Sequence, residues 1–442
     1  MTRDFSCTEA YYHFRKIFAQ NPLTVLSVTE EGKTQSGLAN LFSHRNFAIY
    51  ASGNFPSQCG VWAQRLAIGW LTWELTESGF WLGLMGFADL IPVVLLSPFA
   101  GYLADRYDRV LLAKIIQFAN IAVTGSLTVL AYVGFLNVHL LLLFAFLTGV
   151  DHAMFQPIRS SLASVLVSKK YLASAVAFNS FTWNSARLVG PALGAAILKF
   201  ADANLVFLIN TVLYVGFLVA LCFLNLPPMP KRPPTKHGVL GEILDGYRYV
   251  IAHRIMGPLF LILFGASFLT RPLTELLPGF AAGIFKQGPA GLAILTAAMA
   301  VGAVLAGIWI THRGKLEGLA GVAAYAVLLG AIVLVVFTNT STFEIAVICM
   351  VFFGIQYSLV GTCIQTIIQS VAEESMRGRV LSLYGLIWIG SAAMGALFMG
   401  ALSEWFGLAN PIMGGGFVCL GVWLFALRVR RPVEALIAKE QV

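Results

Sequence analysis

The sequence predicts an all-α polytopic membrane protein, with twelve transmembrane helices arranged as two pseudo-symmetric six-helix bundles. Three observations carry this expectation. First, 58% of the 442 residues are apolar and only 11% charged, with 33 Phe and a mean hydropathy of +0.79. A chain so poor in polar side chains cannot cover a water-soluble domain. Second, apolar segments recur at 48–74, 80–104, 110–134, 138–158, 172–198, 203–226, 256–283, 289–311, 317–337, 342–365, 380–402 and 409–428. Each has roughly the 20 residues that a helix rising about 1.5 Å per residue needs to cross the hydrocarbon. Third, basic residues gather in every second loop. The length and continuity of the segments exclude a β-barrel, whose strands alternate over about ten residues.

The loop charges set the expected topology. Arg106, Arg109 and Lys114 follow the second segment, Lys169 and Lys170 the fourth, and Lys231, Arg232, Lys236, Arg248 and Arg254 the sixth. Arg313 and Lys315 follow the eighth, Arg377 and Arg379 the tenth, and Arg428, Arg430 and Arg431 the twelfth. The intervening turns hold mainly Glu74, Glu77, Lys199, Asp202, Lys286, Glu344 and Glu404. Basic loops stay in the cytoplasm, so both termini are expected there, in a bacterial-type inner membrane. The net charge of +8 is thereby spread over many loops and indicates no nucleic-acid partner.

Several function classes find no support in the sequence. The first 45 residues are polar and lack the apolar core of a signal peptide, and read as a cytoplasmic leader. The six cysteines (Cys7, Cys59, Cys222, Cys349, Cys363, Cys419) are scattered, so neither a disulfide framework nor a metal site is expected. The tripeptide GKT at Gly32–Thr34 has Ser27 where a phosphate-binding loop needs glycine, so no nucleotide cofactor is expected. No helical HExxH and no nucleophile elbow occurs, so an enzyme is not expected.

Between the sixth and seventh segments lies LPPMPKRPPTKHGVLGEILDGYRYVIAHRIM, whose proline-rich start breaks any helix. From Val239 onward, Leu240, Ile243, Leu244, Tyr247, Val250 and Ile251 recur at helical spacing, predicting a short amphipathic helix along the membrane surface. The expected divisions are a leader (1–45), a first bundle (46–227), a linker (228–255), a second bundle (256–431) and a tail (432–442). LASVLVSKKYLASAVAFNS and IIQSVAEESMRGRVLSLYG occupy corresponding places in the two halves, as do Gly190 and Gly194 against Gly395 and Gly400. Parallel repeats joined by a cytoplasmic linker suit a transporter that rocks one half against the other.

The stretch GYLADRYDR, Gly101–Arg109, resembles the loop 2–3 signature of the major facilitator superfamily. Gly101, Leu103, Ala104, Asp105, Arg106 and Arg109 match it, while Asp108 and Val110 depart from it. The resemblance implies a conformational switch made of Gly101, Asp105, Arg106 and Arg109, with Asp105 meeting the N-terminal end of the eleventh span and Gly101 allowing close approach. Asp105 and Arg109, four apart, would pair on a continuing helix; setting topology is the plainer role for such loop charges. ARLVGPALGAA resembles the family's antiporter motif through Gly190, Pro191 and Gly194, next to Arg187; generic small-residue helix packing explains the same residues. WAQRLAIGWLTWELTESGFWLGLMGF, FQPIRSSLASVLV and AFNSFTWNSARLVGPALG are similar to the branch of enterobactin exporters and macrolide-efflux proteins, the transmembrane secretion effectors. The second-half loop THRGKLEGL lacks the signature Asp.

Ionisable residues inside spans are candidates for function because they are costly there. They are Arg65, Asp89, Asp151, His152 and Arg187 in the first half and Arg271 and Glu275 in the second. Arg271 and Glu275 are four apart and are expected to pair. Asp89 has no basic neighbour on its own helix and is the expected proton-coupling acid, with cavity-facing carboxylate as the plainer alternative. His152 is a second candidate carrier. Trp70, Trp73, Trp81, Phe155, Phe181, Trp183, Phe268 and Trp388 are candidates to line a cavity, Trp73 and Trp81 reading more readily as interfacial anchors. The expected function is export of a small amphipathic or aromatic molecule by alternating access in exchange for protons. The rivals are an importer, a lysophospholipid flippase or a transporter-shaped scaffold. The expected partners are a small-molecule substrate, protons and the lipid bilayer, with no nucleic acid and a monomeric state.

Overall fold

The computed structural model describes residues 41–224 and 239–440. The leader with Cys7 and the Gly32–Thr34 tripeptide, the linker start with Lys231, Arg232 and Lys236, and the last two residues lie outside the described residues. The described chain is helical without strands. It comprises α1 (Arg45–Thr76), α2 (Gly79–Arg106), α3 (Arg109–Tyr132), α4 (Val138–Leu166), α5 (Leu172–Phe200), α6 (Ala203–Cys222), α7 (Val239–Ala252), α8 (Met256–Thr270), α9 (Pro272–Gly279), α10 (Gly288–Arg313), α11 (Leu319–Asn339), α12 (Phe343–Val371), α13 (Arg377–Phe406) and α14 (Ala409–Glu440). A π-helical turn, Phe280–Ile284, continues α9, so that α8, α9 and this turn make one crossing. Among the described residues, ten segments are both long and apolar enough to cross a membrane. Helices α1 and α5, at 32 and 29 residues, have the length but interrupt their apolar runs with Gln58, Gln64 and Arg65, and with Asn179, Asn184 and Arg187. Gln58 and Gln64 are buried and Arg65, Asn179 and Arg187 half-buried, away from lipid, while Asn184 is exposed and donates to the Ser180 carbonyl of its own helix.

Local chemistry fixes the helix ends. Ser78 caps α2 by accepting from the Trp81 N–H at 3.4 Å, Asp108 caps α3 through Leu111 N–H at 2.8 Å, and Asn137 caps α4 through Leu140 N–H at 3.0 Å. The signature helix therefore does not run on through 105–109: Tyr107 and Asp108 are extended, and the Asp that departs from the family pattern starts the next helix.

The two groups of six crossings pack by the same plan. In the first, α2 lies on α4, α1 on α5 and α6, and α3 on α6; in the second, α10 lies on α12, α8 on α13 and α14, and α11 on α14. Small residues make the matching close approaches. Gly149 of α4 faces the Asp89 backbone and Gly354 of α12 faces the Met299 backbone, while Gly190 of α5 faces Cys59 and Gly395 of α13 faces Phe268. Met299 thus holds in the second group the place that Asp89 holds in the first.

Between the groups, α2 runs along α13, α5 along α10, and α9 against α1 and α2. Contact is tightest at the end carrying the α1–α2 turn. There Gly83 lies against Gly400 and Ala396 with no room for a Cβ, the Ser78 hydroxyl donates to the Glu404 carboxylate, and Trp73 packs on Gly279 and Gly283. Toward the other end, Val94 still approaches Gly390, but Gly101 of α2 and Gly378 and Gly385 of α13 have nothing within 4 Å of a Cβ. The close approach expected at Gly101 is made by Gly83 instead.

At this second end α7 packs on α13. Val250 is buried, Asp245 pairs with Arg379 at 3.8 Å, and the Glu373 N–H donates to the Tyr249 hydroxyl at 3.4 Å. The expected apolar stripe of α7 is divided, since Tyr247 and Ile251 are exposed; the Leu240, Ile243 and Leu244 side chains lie outside the described residues.

Candidate functional site

Midway along the molecule, α1, α2 and α9 bring together Arg65, Asp89 and Glu275. Arg65 Nη2 and Asp89 Oδ2 form an ion pair. Glu275 reaches across from the second group and lies over Gly86, one turn from Asp89, where a Cβ would stand 2.7 Å from its Cγ. Glycine at 86 is therefore what admits this carboxylate. The three side chains border a cavity of about 50 Å³ with Gln64, Met85 and Thr148. A second cavity, of about 40 Å³, shares Arg65, Asp89 and Thr148 and continues to Asp151, His152, Arg159 and Trp183. The sequence left Asp89 without a basic neighbour because only its own helix was in view; its partner comes from the helix beside it.

Asp151 accepts a hydrogen bond from Asn120 at 2.6 Å, and Gln117 donates to the Tyr214 carbonyl at 3.1 Å beside it. His152 stands edge-on to Trp183, ring centroids 5.4 Å apart. Arg159 donates to Gln156 at 2.7 Å and lies 4.8 Å from the Trp183 ring.

Farther across the middle, arginines alternate with aromatic rings. Arg187 of α5 lies 5.6 Å from the Trp62 ring and 5.2 Å from the Tyr357 ring, and its Nη2 is 3.7 Å from the Met299 sulfur. Arg271 lies 5.4 Å from the same Tyr357 ring and 4.9 Å from Trp388, and donates to the Trp388 carbonyl at 2.5 Å. Such contacts are worth about 0.5–2 kcal/mol each, more where water is excluded. The expected Arg271–Glu275 pair is not formed. Arg271 sits where α8 gives way to Pro272, which removes a backbone donor; its side chain goes to α13 and that of Glu275 to α2.

The remaining candidate residues have other surroundings. Arg106 donates to the Tyr102 hydroxyl and stacks on its ring, and Arg109 Nε donates to the Ala104 carbonyl at 3.3 Å. The Asp105 side chain lies outside the described residues. Gly190 and Gly194 seat α5 on α1: a Cβ at Gly190 would stand 2.5 Å from Trp62 Cβ, and one at Gly194 3.0 Å from the Ala63 carbonyl. Pro191 lies between them inside α5. Among the aromatic candidates, Trp183 and Trp388 belong to the site, Phe155 packs on Phe217, and Phe268 stacks with Phe264. Trp73 is wedged against the second group rather than standing as an interfacial anchor, while Trp81 meets His139 edge-on. Sequence reasoning missed Arg159, Trp62 and Tyr357. Arg159 fell just beyond the end assigned to the fourth segment, yet α4 continues through Pro157 to Leu166.

This architecture has counterparts among known proteins. A family model described as "Transmembrane secretion effector" matches residues 35–441. The chain belongs to that family. It is therefore a membrane transporter of the major facilitator superfamily, as are its relatives. It is 27% identical to the staphyloferrin A transporter of Staphylococcus aureus, over 84% of this chain and 93% of that protein. It is 26% identical to the enterobactin exporter EntS of Escherichia coli, over 90% and 93%, and 21% identical to macrolide efflux protein A of Streptococcus pyogenes, over 81% and 90%. In fold it is similar to a bacterial homologue of the lysosomal transporter Spinster in an inward-facing, occupied conformation, with a TM-score of 0.66 at 15% identity over 90% of this chain and 97% of that one. It is also similar to a D-xylose–proton symporter, with a TM-score of 0.63 at 14% identity over 87% and 97%.

Proposed function

We propose that this transporter exports a small amphipathic or aromatic molecule from the cytoplasm by alternating access, in exchange for protons. The observation that carries the reading is the Arg65–Asp89–Glu275 cluster, in which ionisable groups from both halves meet at the place where the halves must part and rejoin. An acid buried at a moving contact changes its surroundings in each conformation, and proton uptake is coupled to that change. The end bearing α7 and the basic loops is assigned to the cytoplasm with both termini, and the tight end to the outer face of a bacterial-type inner membrane. In this assignment the described conformation is closed outward. The division into two bundles about the 228–255 linker follows the repeated packing plan, and Asp105 is assigned as a latch that closes the cytoplasmic end against α13. The site is complete within one chain, which supports a monomer. The names of the relatives, an enterobactin exporter and a macrolide efflux protein among them, support the export direction.

The test is purified protein in liposomes loaded with a panel of fluorescent siderophore-like and macrolide-like compounds. An imposed proton gradient should drive compound against its own gradient in wild type. Asp89→Asn should abolish that and retain exchange of compound for compound. Gradient-driven movement unchanged in Asp89→Asn would eliminate the coupling role.

A further inference from the structure

The interior of the spans is unevenly charged. Among the described residues, the spans carry Arg65, Arg159, Arg187 and Arg271 in their interior against Asp89, Asp151 and Glu275. Asp89 is taken by Arg65, and Asp151 lies in the cavity shared with Arg159. Arg187 and Arg271 have no carboxylate within ion-pair distance among the described residues. Their partners are a thioether, a carbonyl, the Tyr357 hydroxyl and three aromatic faces, and Arg271 Nε is buried with no hydrogen-bond partner. Ring faces and a sulfur orient a guanidinium but do not neutralise its unit charge, and an unneutralised charge at membrane depth is costly.

The two arginines come from opposite halves, α5 and the α8–α9 junction, yet share one ring, Tyr357. Left alone they repel, and closing the halves on them makes the repulsion worse. We infer, on the reading of this site as the transport site, that the cargo is an organic anion. Its carboxylate or equivalent negative oxygens lie between Arg187 and Arg271, and its flat portion rests among Trp62, Tyr357 and Trp388. Guanidinium forks suit planar oxyanions, which take two parallel hydrogen bonds. A neutral cargo would leave both arginines unsatisfied, and a cationic one would add a third positive charge. The anion also gives binding a mechanical consequence, because it turns a repulsive contact between the halves into an attractive one.

The test uses purified full-length protein without any gradient. A panel of aromatic carboxylates (naphthoates, hydroxybenzoates, dihydroxybenzoates) is set beside the amide and the amine of each skeleton. Binding is read by quenching of tryptophan fluorescence and by thermal stabilisation. Carboxylates should bind at least about tenfold tighter than their amides, with no binding of the amines. Arg187→Gln and Arg271→Gln should each remove that preference by about tenfold, Arg187→Lys should keep part of it, and Lys199→Gln should keep all of it. Retention of binding by Arg187→Lys separates loss of the site from loss of folding. Equal binding of amides, preference for amines, absence of any carboxylate ligand, or unchanged selectivity in Arg271→Gln would each overturn the inference. Charge-selective binding without gradient-driven export would instead remove the proton-exchange reading and leave this one intact.

Discussion

Asp89→Asn removes the charge from one member of the Arg65–Asp89 pair and leaves the guanidinium of Arg65 facing a neutral amide. Where both partners are buried, such a change costs about 3–5 kcal/mol. Here the Asp89 side chain is 11% exposed and that of Arg65 27%, so part of the orphaned charge stays in contact with the polar cavity. A cost of about 2 kcal/mol is the better expectation. Arg65→Gln should cost a similar amount, because it leaves the carboxylate unpaired with Glu275 nearby. The double variant leaves neither charge orphaned and should cost clearly less than the sum, giving a coupling of about 2 kcal/mol, or roughly thirtyfold in the unfolding equilibrium. The assay is unfolding of the three variants by SDS in mixed micelles, followed by tryptophan fluorescence. Additivity within about 0.5 kcal/mol would refute the pair as an energetic unit.

Three other substitutions probe the frame around the site. Gly83→Val places a side chain against Ala396 and 2.9 Å from Gly400 Cα, an overpacking of about 1–3 kcal/mol in the conformer that closes this end. Bifunctional cross-linking of cysteines at 78 and 404 should then slow by about tenfold, and an unchanged rate would contradict the assignment. Gly190→Val clashes with Trp62 and Cys59 inside one half, so it should lower thermal stability in every conformation without changing that cross-linking; wild-type stability would refute the contact. Asp245→Asn should cost less than about 0.5 kcal/mol, because its pair with Arg379 is 3.8 Å long and 30–45% exposed. A loss well beyond that would mean that α7 is clamped more firmly than this geometry allows.

Much of the fold was legible because membrane crossing is a demand on composition. Hydrocarbon requires a continuous apolar run with an internally satisfied backbone, so the twelve crossings read from the sequence lie within a few residues of the helices, apart from the C-terminal ends of α4, α12 and α14, which run on beyond the assigned segments. The candidate site was legible by membership rather than by pairing. Arg65, Asp89, Arg187, Arg271 and Glu275 were conspicuous as charges in apolar runs, but which charges meet is decided by neighbouring helices far apart in sequence. The i,i+4 rule that matched Arg271 to Glu275 fails at a proline break, and a single helix gives no view of Arg65 beside Asp89. Trp62 and Tyr357 were missed for a different reason: an aromatic ring in a transmembrane helix has the same local signature whether it meets lipid, core or a guanidinium. Their role emerges only from the arginines stacked on them.

Alternating access requires the two ends of the molecule to open in turn. Spin labels at Ser78 and Glu404 report the end now closed, and labels at Tyr102 and Ser382 report the other, each pair spanning α2 and α13 or their flanks. Pulsed dipolar distances in lipid nanodiscs, across a range of pH with and without a binding carboxylate, measure both. The two distances should change in opposite directions, the first lengthening in the population in which the second shortens. Distances that change together, or a first pair that never separates while the protein is transporting, would contradict alternating access.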